Sequence, residues 1–147
     1  MKALLKRVKT ASVSIDGELY SQINNGLLIF LGVEKEDDNS QADWLISKIL
    51  KLRIFEDENK KMNLSVLDIK GEILVVSQFT LAGDCKKGTR PSFDNAKNPN
   101  EANKLYEYFV SELKKSGLTV KTGVFGAMMD INLINDGPVT FMLEKQL

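Results

Sequence analysis

Residues 72–81 read EILVVSQFTL. Ile73 to Val76 are apolar without a break, so the segment has no polar face and reads as a strand buried on both sides. Its far end changes character. Ser77, Gln78 and Thr80 bring hydroxyl and amide groups to the close of an apolar strand, around Phe79. Such groups either satisfy one another in a turn or face a cleft. Strand ends that enter long loops are where α/β proteins place ligands.

A second run of the same kind, GLLIFLGV at residues 26–33, predicts another doubly buried strand. Upstream of it, Val13 and Ile15 alternate with Ser12 and Ser14, Asp16-Gly17 signals a turn, and Leu19–Ile23 reads as the return strand. Asn25-Gly26 marks one more turn. Between the two apolar strands, Ala42, Leu45, Ile46, Ile49 and Leu50 fall at helical spacing, which predicts a helix starting near Asn39 or Ser40. Arg53-Ile54-Phe55 leaves that helix, and a polar turn, EDENKKMN, follows. Beyond the strand 72–81 comes a long loop from Ala82 to about Lys97. A second helix then has a clear start: Asn98 suits the N-cap, Pro99 the first helical position and Glu101 the third. Ala102, Leu105, Phe109 and Leu113 form its stripe, and Gly117 suits its stop. LTVKTGVF, MMDINLIN and PVTFMLE read as strands, the last with Val139, Phe141 and Leu143 alternating. Two helices among roughly eight strands predict one α/β domain over residues 1–147, with a mixed sheet.

Composition narrows the function. The chain has 147 residues, enough for a single domain with a core of its own. Lys+Arg and Asp+Glu are both 20, so the net charge is zero, which argues against a generic nucleic-acid coat or a polybasic membrane binder. There is no histidine, which removes every triad, general base and metal ligand built on imidazole. The lone cysteine, Cys85, can close no internal disulfide, so a reducing cytoplasm is the expected setting. No run approaches a membrane span and the first ten residues lack a signal-peptide core, so no membrane partner is expected.

Several clusters invite a chemical reading. Gly83-x-x-x-x-Gly88 imitates part of a phosphate loop, but Thr89-Arg90-Pro91 stand where Lys and Ser or Thr belong. Lys86, Lys87 and Arg90 on that loop are either solvated charge or a patch for phosphates. Glu36-Asp37-Asp38 and Glu56-Asp57-Glu58 lack the spacing of a calcium loop and read as solvated surface. No metal site and no cofactor is expected. Asn135-Asp136-Gly137-Pro138-Val139-Thr140 reads either as an ordinary turn between strands or as a cis Gly-Pro segment. The second form directs two successive carbonyl oxygens the same way, as a rigid acceptor pair for an ammonium group.

Taken together, SQFTLAGD and NDGPVT resemble the D-aminoacyl-tRNA deacylase (DTD) family. RVKTASVSIDGE, GLLIFLGVEKEDD, RIFEDENKKMNLSV, GTRPSF and LYEYFV stand in that family's order and approximate spacing, so the likeness spans the chain. The resemblance implies a symmetric homodimer that hydrolyses the ester joining a D-amino acid, or mischarged glycine, to the terminal ribose of tRNA. It implies a pocket walled by Ser77, Gln78, Phe79 and Thr80. It also implies that Gly137-Pro138, with a cis bond, reaches in from the other subunit, and that Arg7 orients the Gly-Pro carbonyls. Gly83 stands where some members have alanine, a difference expected to matter little.

A site without histidine can still cleave a labile ester by orientation and oxyanion stabilisation. The backbone N–H groups near Phe79 and Thr80 are the candidate oxyanion donors, and the ribose hydroxyl beside the ester the candidate for positioning water. Thr80 as a nucleophile is the runner-up, without an obvious base. The two carbonyls would hold the α-amino group while the wall rejects an L side chain by collision and leaves glycine unopposed. Lys86, Lys87 and Arg90, with Lys2, Lys6 and Lys9, are the expected positive rim for the tRNA acceptor end. The competing readings are a non-catalytic module that binds aminoacyl-tRNA or an amino acid, and a synthetase-associated editing domain.

Overall fold

The computed structural model describes residues 1–146. Strands β1 (Lys2–Ile15), β2 (Glu18–Ile23) and β3 (Gly26–Gly32) come first, then helix α1 (Asn39–Lys51). The short strands β4 (Phe55–Glu56) and β5 (Met62–Leu64) lead to β6 (Glu72–Ser77). Helix α2 (Pro99–Lys114), β7 (Val120–Thr122) and β8 (Asp130–Glu144) complete the chain.

β3 and β6 run parallel at the centre, Leu27 opposite Ile73 and Leu31 opposite Ser77. Their side chains alternate between two cores, which is why neither strand has a polar face. Leu27, Ile29, Leu31, Ile73 and Val75 join the core covered by both helices. Leu28, Leu74 and Val76 join a second core with Val8, Val13 and Ile23, closed by Ile131 and Leu133 of β8. β7 adds parallel to β6. The crossovers from β3 to β6 and from β6 to β7 carry α1 and α2, as parallel pairs require.

Both helix starts have local causes. Asp38 caps α1 by accepting from Ser40 N, and Gln41 returns the bond to the Asp38 backbone. Asn98 caps α2 by accepting from Glu101 N at 3.1 Å, with Pro99 in the first turn.

Four expectations need correction. The strand 72–81 stops at Ser77, and Phe79–Ala82 form a 3-10 turn. Gly32 permits this fold-back, because a Cβ there would stand 2.8 Å from Leu81 Cβ and 3.2 Å from Gln78 O. The polar turn after Phe55 is the tip of a small hairpin, β4 on β5, where Asp57 accepts from the backbone N–H of Asn59 and Lys61. Asp37 is buried rather than solvated, and Asp38 is a cap. Finally, MMDINLIN and PVTFMLE do not form two strands. Asp130–Glu144 is one strand running along nearly all of β1, with Phe141 exposed and not packed inward like Val139.

Candidate active site

The β1–β8 ladder shifts register twice, between Lys6 and Val8 and between Val8 and Thr10, and the larger shift falls at the motif the sequence singles out. Lys6 stands opposite Thr140 and Val8 opposite Asn135, so the four residues Asp136–Val139 face only Arg7. The surplus bulges from the sheet, and such bulges re-aim what they carry. Its neck is tied by Asn135 Nδ2 donating to Thr140 Oγ1 at 3.0 Å and by Val139 N donating to Asn135 Oδ1 at 3.3 Å. The Gly137-Pro138 peptide is cis, and both residues are exposed.

Arg7 holds the bulge from below. It is 4% exposed. Its Nε donates to Asp136 O at 3.2 Å and lies 3.4 Å from Asp136 Oδ2, while Nη1 donates to Ile54 O at 2.9 Å. Glu56 Oε1 lies 3.9 Å from Nη2, a second counter-charge. Gly137 has φ +123°, a conformation that L side chains rarely adopt, and a Cβ on it would lie 3.0 Å from Arg7 Nη2.

The end of β6 opens a cavity of about 640 Å³. Ser77, Gln78 and Phe79 form one wall, Phe93 the next, and Phe125 to Met129 the far side. The rings of Phe79 and Phe93 pack tilted, 5.0 Å apart. Thr80 sits outside this lining, its hydroxyl accepting a hydrogen bond from Gln78 Nε2. Within the 3-10 turn, Leu81 N bonds Gln78 O at 3.2 Å. The N–H groups of Phe79 and Thr80 come earlier and have no acceptor within the turn. Among the described residues Lys97 is the one ionisable group in the lining, and its ammonium is engaged by Lys35 O at 2.9 Å. The wall therefore offers backbone donors, an amide and aromatic faces, with no side-chain base that works at neutral pH.

Gly137 and Pro138 do not line this cavity in the same chain. Lys86, Lys87 and Arg90 lie on the exposed tip of a small loop pinned by a pair of 2.8 Å bonds between Asp84 and Ser92. Lys2, Lys6 and Lys9 lie on β1, where Lys6 Nζ reaches Thr140 Oγ1 at 3.2 Å. Gly83 is tighter than its chemistry suggests. A Cβ there would sit 3.0 Å from both Phe93 Cε1 and Thr80 O, so alanine requires the Phe93 ring to shift by tenths of an ångström. Among the described residues no group of three or more acidic or cysteine side chains is placed to hold a metal ion. Phe93, Phe125 and Met129 are cavity residues that come from loops: LTVKTGVF and MMDINLIN read as strands in the sequence, but the strands cover only Val120–Thr122 and begin again at Asp130, which leaves Phe125 and Met129 between them.

The family model for D-Tyr-tRNA(Tyr) deacylase matches residues 4–144. The chain belongs to that family. The D-aminoacyl-tRNA deacylase of Geotalea uraniireducens is 58% identical over 98% of this chain and 93% of its own. That of Thermodesulfovibrio yellowstonii is 57% identical over 99% and 100%. Among solved structures, the c-Myc DNA Unwinding Element Binding Protein superposes with a TM-score of 0.94 at 42% identity, covering 100% of both chains. A probable eukaryotic D-amino acid tRNA deacylase shares the deacylase fold at TM-score 0.85 and 16% identity, over 97% of both chains.

Proposed function

We propose that this member of the deacylase family hydrolyses the ester of D-aminoacyl-tRNA, and of mischarged glycyl-tRNA, in a two-fold homodimer whose cavities are each completed by the partner's Gly-Pro bulge. Its relatives carry the activity in their names at 57–58% identity over nearly their full lengths. The observation that carries the finer reading is the bulge itself. Arg7 holds Asp136–Val139 out of the sheet with Gly137 and Pro138 exposed, yet the cavity at the end of β6 in the same chain does not contain them.

A second copy resolves that separation. Ile134, Phe141 and Met142 flank the bulge on β8 and are 56%, 39% and 44% exposed, while Phe79 and Met128 at the cavity are 57% and 91% exposed. An isologous dimer seats each bulge in the other's cavity and covers both apolar sets at once. Carbonyl oxygens of the bulge then hold the substrate ammonium. The N–H groups of Phe79 and Thr80 stabilise the oxyanion, and the neighbouring ribose hydroxyl orients water. Handedness is decided by backbone atoms: an L side chain collides with the Gly-Pro peptide, a D side chain points away, and glycine has nothing to collide. Lys86, Lys87 and Arg90 meet the phosphates of the acceptor end. The setting is a reducing cytoplasm, where the exposed Cys85 stays a thiol.

The test is ester loss from matched D-, L- and glycyl-tRNA. The expected result is turnover of the D and glycyl esters with the L ester spared by at least about a hundredfold, roughly 3 kcal/mol of discrimination. Selective loss of a mismatched L ester would identify an editing domain, and binding without turnover a non-catalytic module.

A further inference from the structure

The far wall of the cavity is tied to one carbonyl. Val75 O of β6 accepts from the Tyr106 hydroxyl at 2.7 Å and from Gly123 N at 3.2 Å. The same strand ends at Ser77, where the near wall begins, so β6 carries both sides. From Gly123 the chain runs out through Val124 and returns at Met129. Ala127 N donates to Val124 O at 3.2 Å, and Gly126, at φ +78°, makes the reversal. Phe125 of this loop packs tilted on Tyr106, ring centroids 5.9 Å apart.

Met129 closes the neck of the loop against Gly123. A Cβ on Gly123 would lie 2.6 Å from Met129 Sδ, 3.6 Å from Met129 Cε and 3.8 Å from Val76 Cγ2. The thioether thus fills the space that a side chain would take. Backbone conformation does not call for glycine at this position, since the φ of Gly123 lies outside the left-handed range. The demand comes from Met129. That residue faces two ways: it packs against the second core, which includes the buried Val76, and it lines the cavity. Cores are close-packed, so a thioether displaced from Gly123 has room only toward the cavity.

We propose that Gly123 is a positioning residue that sets the breadth of the cavity: without a Cβ, it draws the Met129 thioether back from the space the substrate enters. Gly123 is not itself in the lining and acts through Met129. A methyl group on it pushes the thioether forward, because Gly123 N is held by Val75 O and the flexible methionine is the softer partner. Substrate and transition state then fit less well by the same amount, which raises KM and spares kcat. The role in specificity rests on the cavity being the substrate site; the seating of Met129 on Gly123 does not.

The experiment compares Gly123→Ala, Met129→Ala and the double variant with the parent on glycyl-, D-alanyl- and D-tyrosyl-tRNA. Gly123→Ala is expected to raise KM at least about fivefold, with kcat held within about twofold. In the Met129→Ala background the same methyl is expected to change KM by less than about twofold, since the group it displaces is gone. A rise equal on all three esters places the part of the substrate they share against Met129, and a rise that grows with the side chain places the D side chain there; either upholds the proposal. Independently of turnover, the ε-methyl carbon resonance of Met129, assigned by its loss in Met129→Ala, is expected to shift in Gly123→Ala. A Gly123→Ala chain that folds only together with Met129→Ala also upholds it. An unchanged KM or an unmoved methyl resonance in the folded variant, a KM rise as large in the Met129→Ala background, or failure to fold in both backgrounds would overturn the proposal. A methyl shift in a protein whose parent cleaves no ester would leave the seating of Met129 standing and remove the proposed activity.

Discussion

At the scale of single residues, Gly137 carries the sharpest demand. Its φ is +123°, and a Cβ placed on it would stand 2.8 Å from Val139 Cγ2, so a side chain has no relaxed position there. Gly137→Ala must either move Val139 and Arg7 or swing the peptide, at about 1–3 kcal/mol of strain. The expected outcome is a fall in kcat/KM of at least about tenfold on the D ester, with discrimination against the L ester reduced and the fold retained. Kinetics like those of the parent would show that the peptide does not touch the substrate. Gly137 stands out in the sequence, but the residues alone leave an ordinary turn and a cis Gly-Pro segment both open, and only the family resemblance chooses between them. Arg7 is legible only through the family resemblance, since nothing local says that an arginine in an alternating strand lies beneath a loop so distant along the chain. Asp37 reads wrongly for the same reason: its partner is the nitrogen of Met1, and a charge run looks alike whether or not a distant donor sits on it.

At the scale of elements, local signals are enough where the cause is local. The cap at Asn98 and the apolar stripes of α1 and α2 follow from neighbouring residues, and so do the two-sided cores of β3 and β6, whereas the Asp38 cap is hidden in an acidic run that reads as surface. The end of β6 is less legible, because Gly32 of the adjacent strand is what lets Phe79–Ala82 fold back. The bulge in β8 leaves no trace in the sequence, since it is defined by register against β1. One tie between elements gives a direct test. Tyr106 of α2 donates its hydroxyl to Val75 O of β6 at 2.7 Å. Burial pushes the phenol up to about 12 from an ordinary value of 10.0. A raised value means that the folded chain binds the proton more tightly than the unfolded one. This contribution is therefore complete below pH 10 and lost as the pH rises toward 12. Tyr106→Phe is expected to cost about 1 kcal/mol in urea unfolding at neutral pH and to lose stability less steeply than the parent across that alkaline window. A parallel fall in both proteins would place the proton elsewhere, for instance on Tyr108, which its hydrogen bond to Asp43 also raises to about 12.

At the scale of the whole molecule, two surfaces face outward at separate places on the chain. The bulge leaves β8 amid exposed Ile134, Phe141 and Met142, and the cavity opens beside exposed Phe79 and Met128. In the proposed dimer each completes the other, and the cavity lining carries no side-chain base for neutral pH. The decisive measurement is complementation between two impaired chains, Gly137→Ala and Phe79→Ala, unfolded together and refolded as a mixture. In the shared-site arrangement, each mixed dimer holds one intact cavity facing one intact bulge. D-ester hydrolysis should then recover to about a quarter of the parent value in an equal mixture, half the dimers each having one of two sites. A mixture no more active than the mean of the two separate variants would contradict the account, because it would mean that each chain judges handedness with its own bulge.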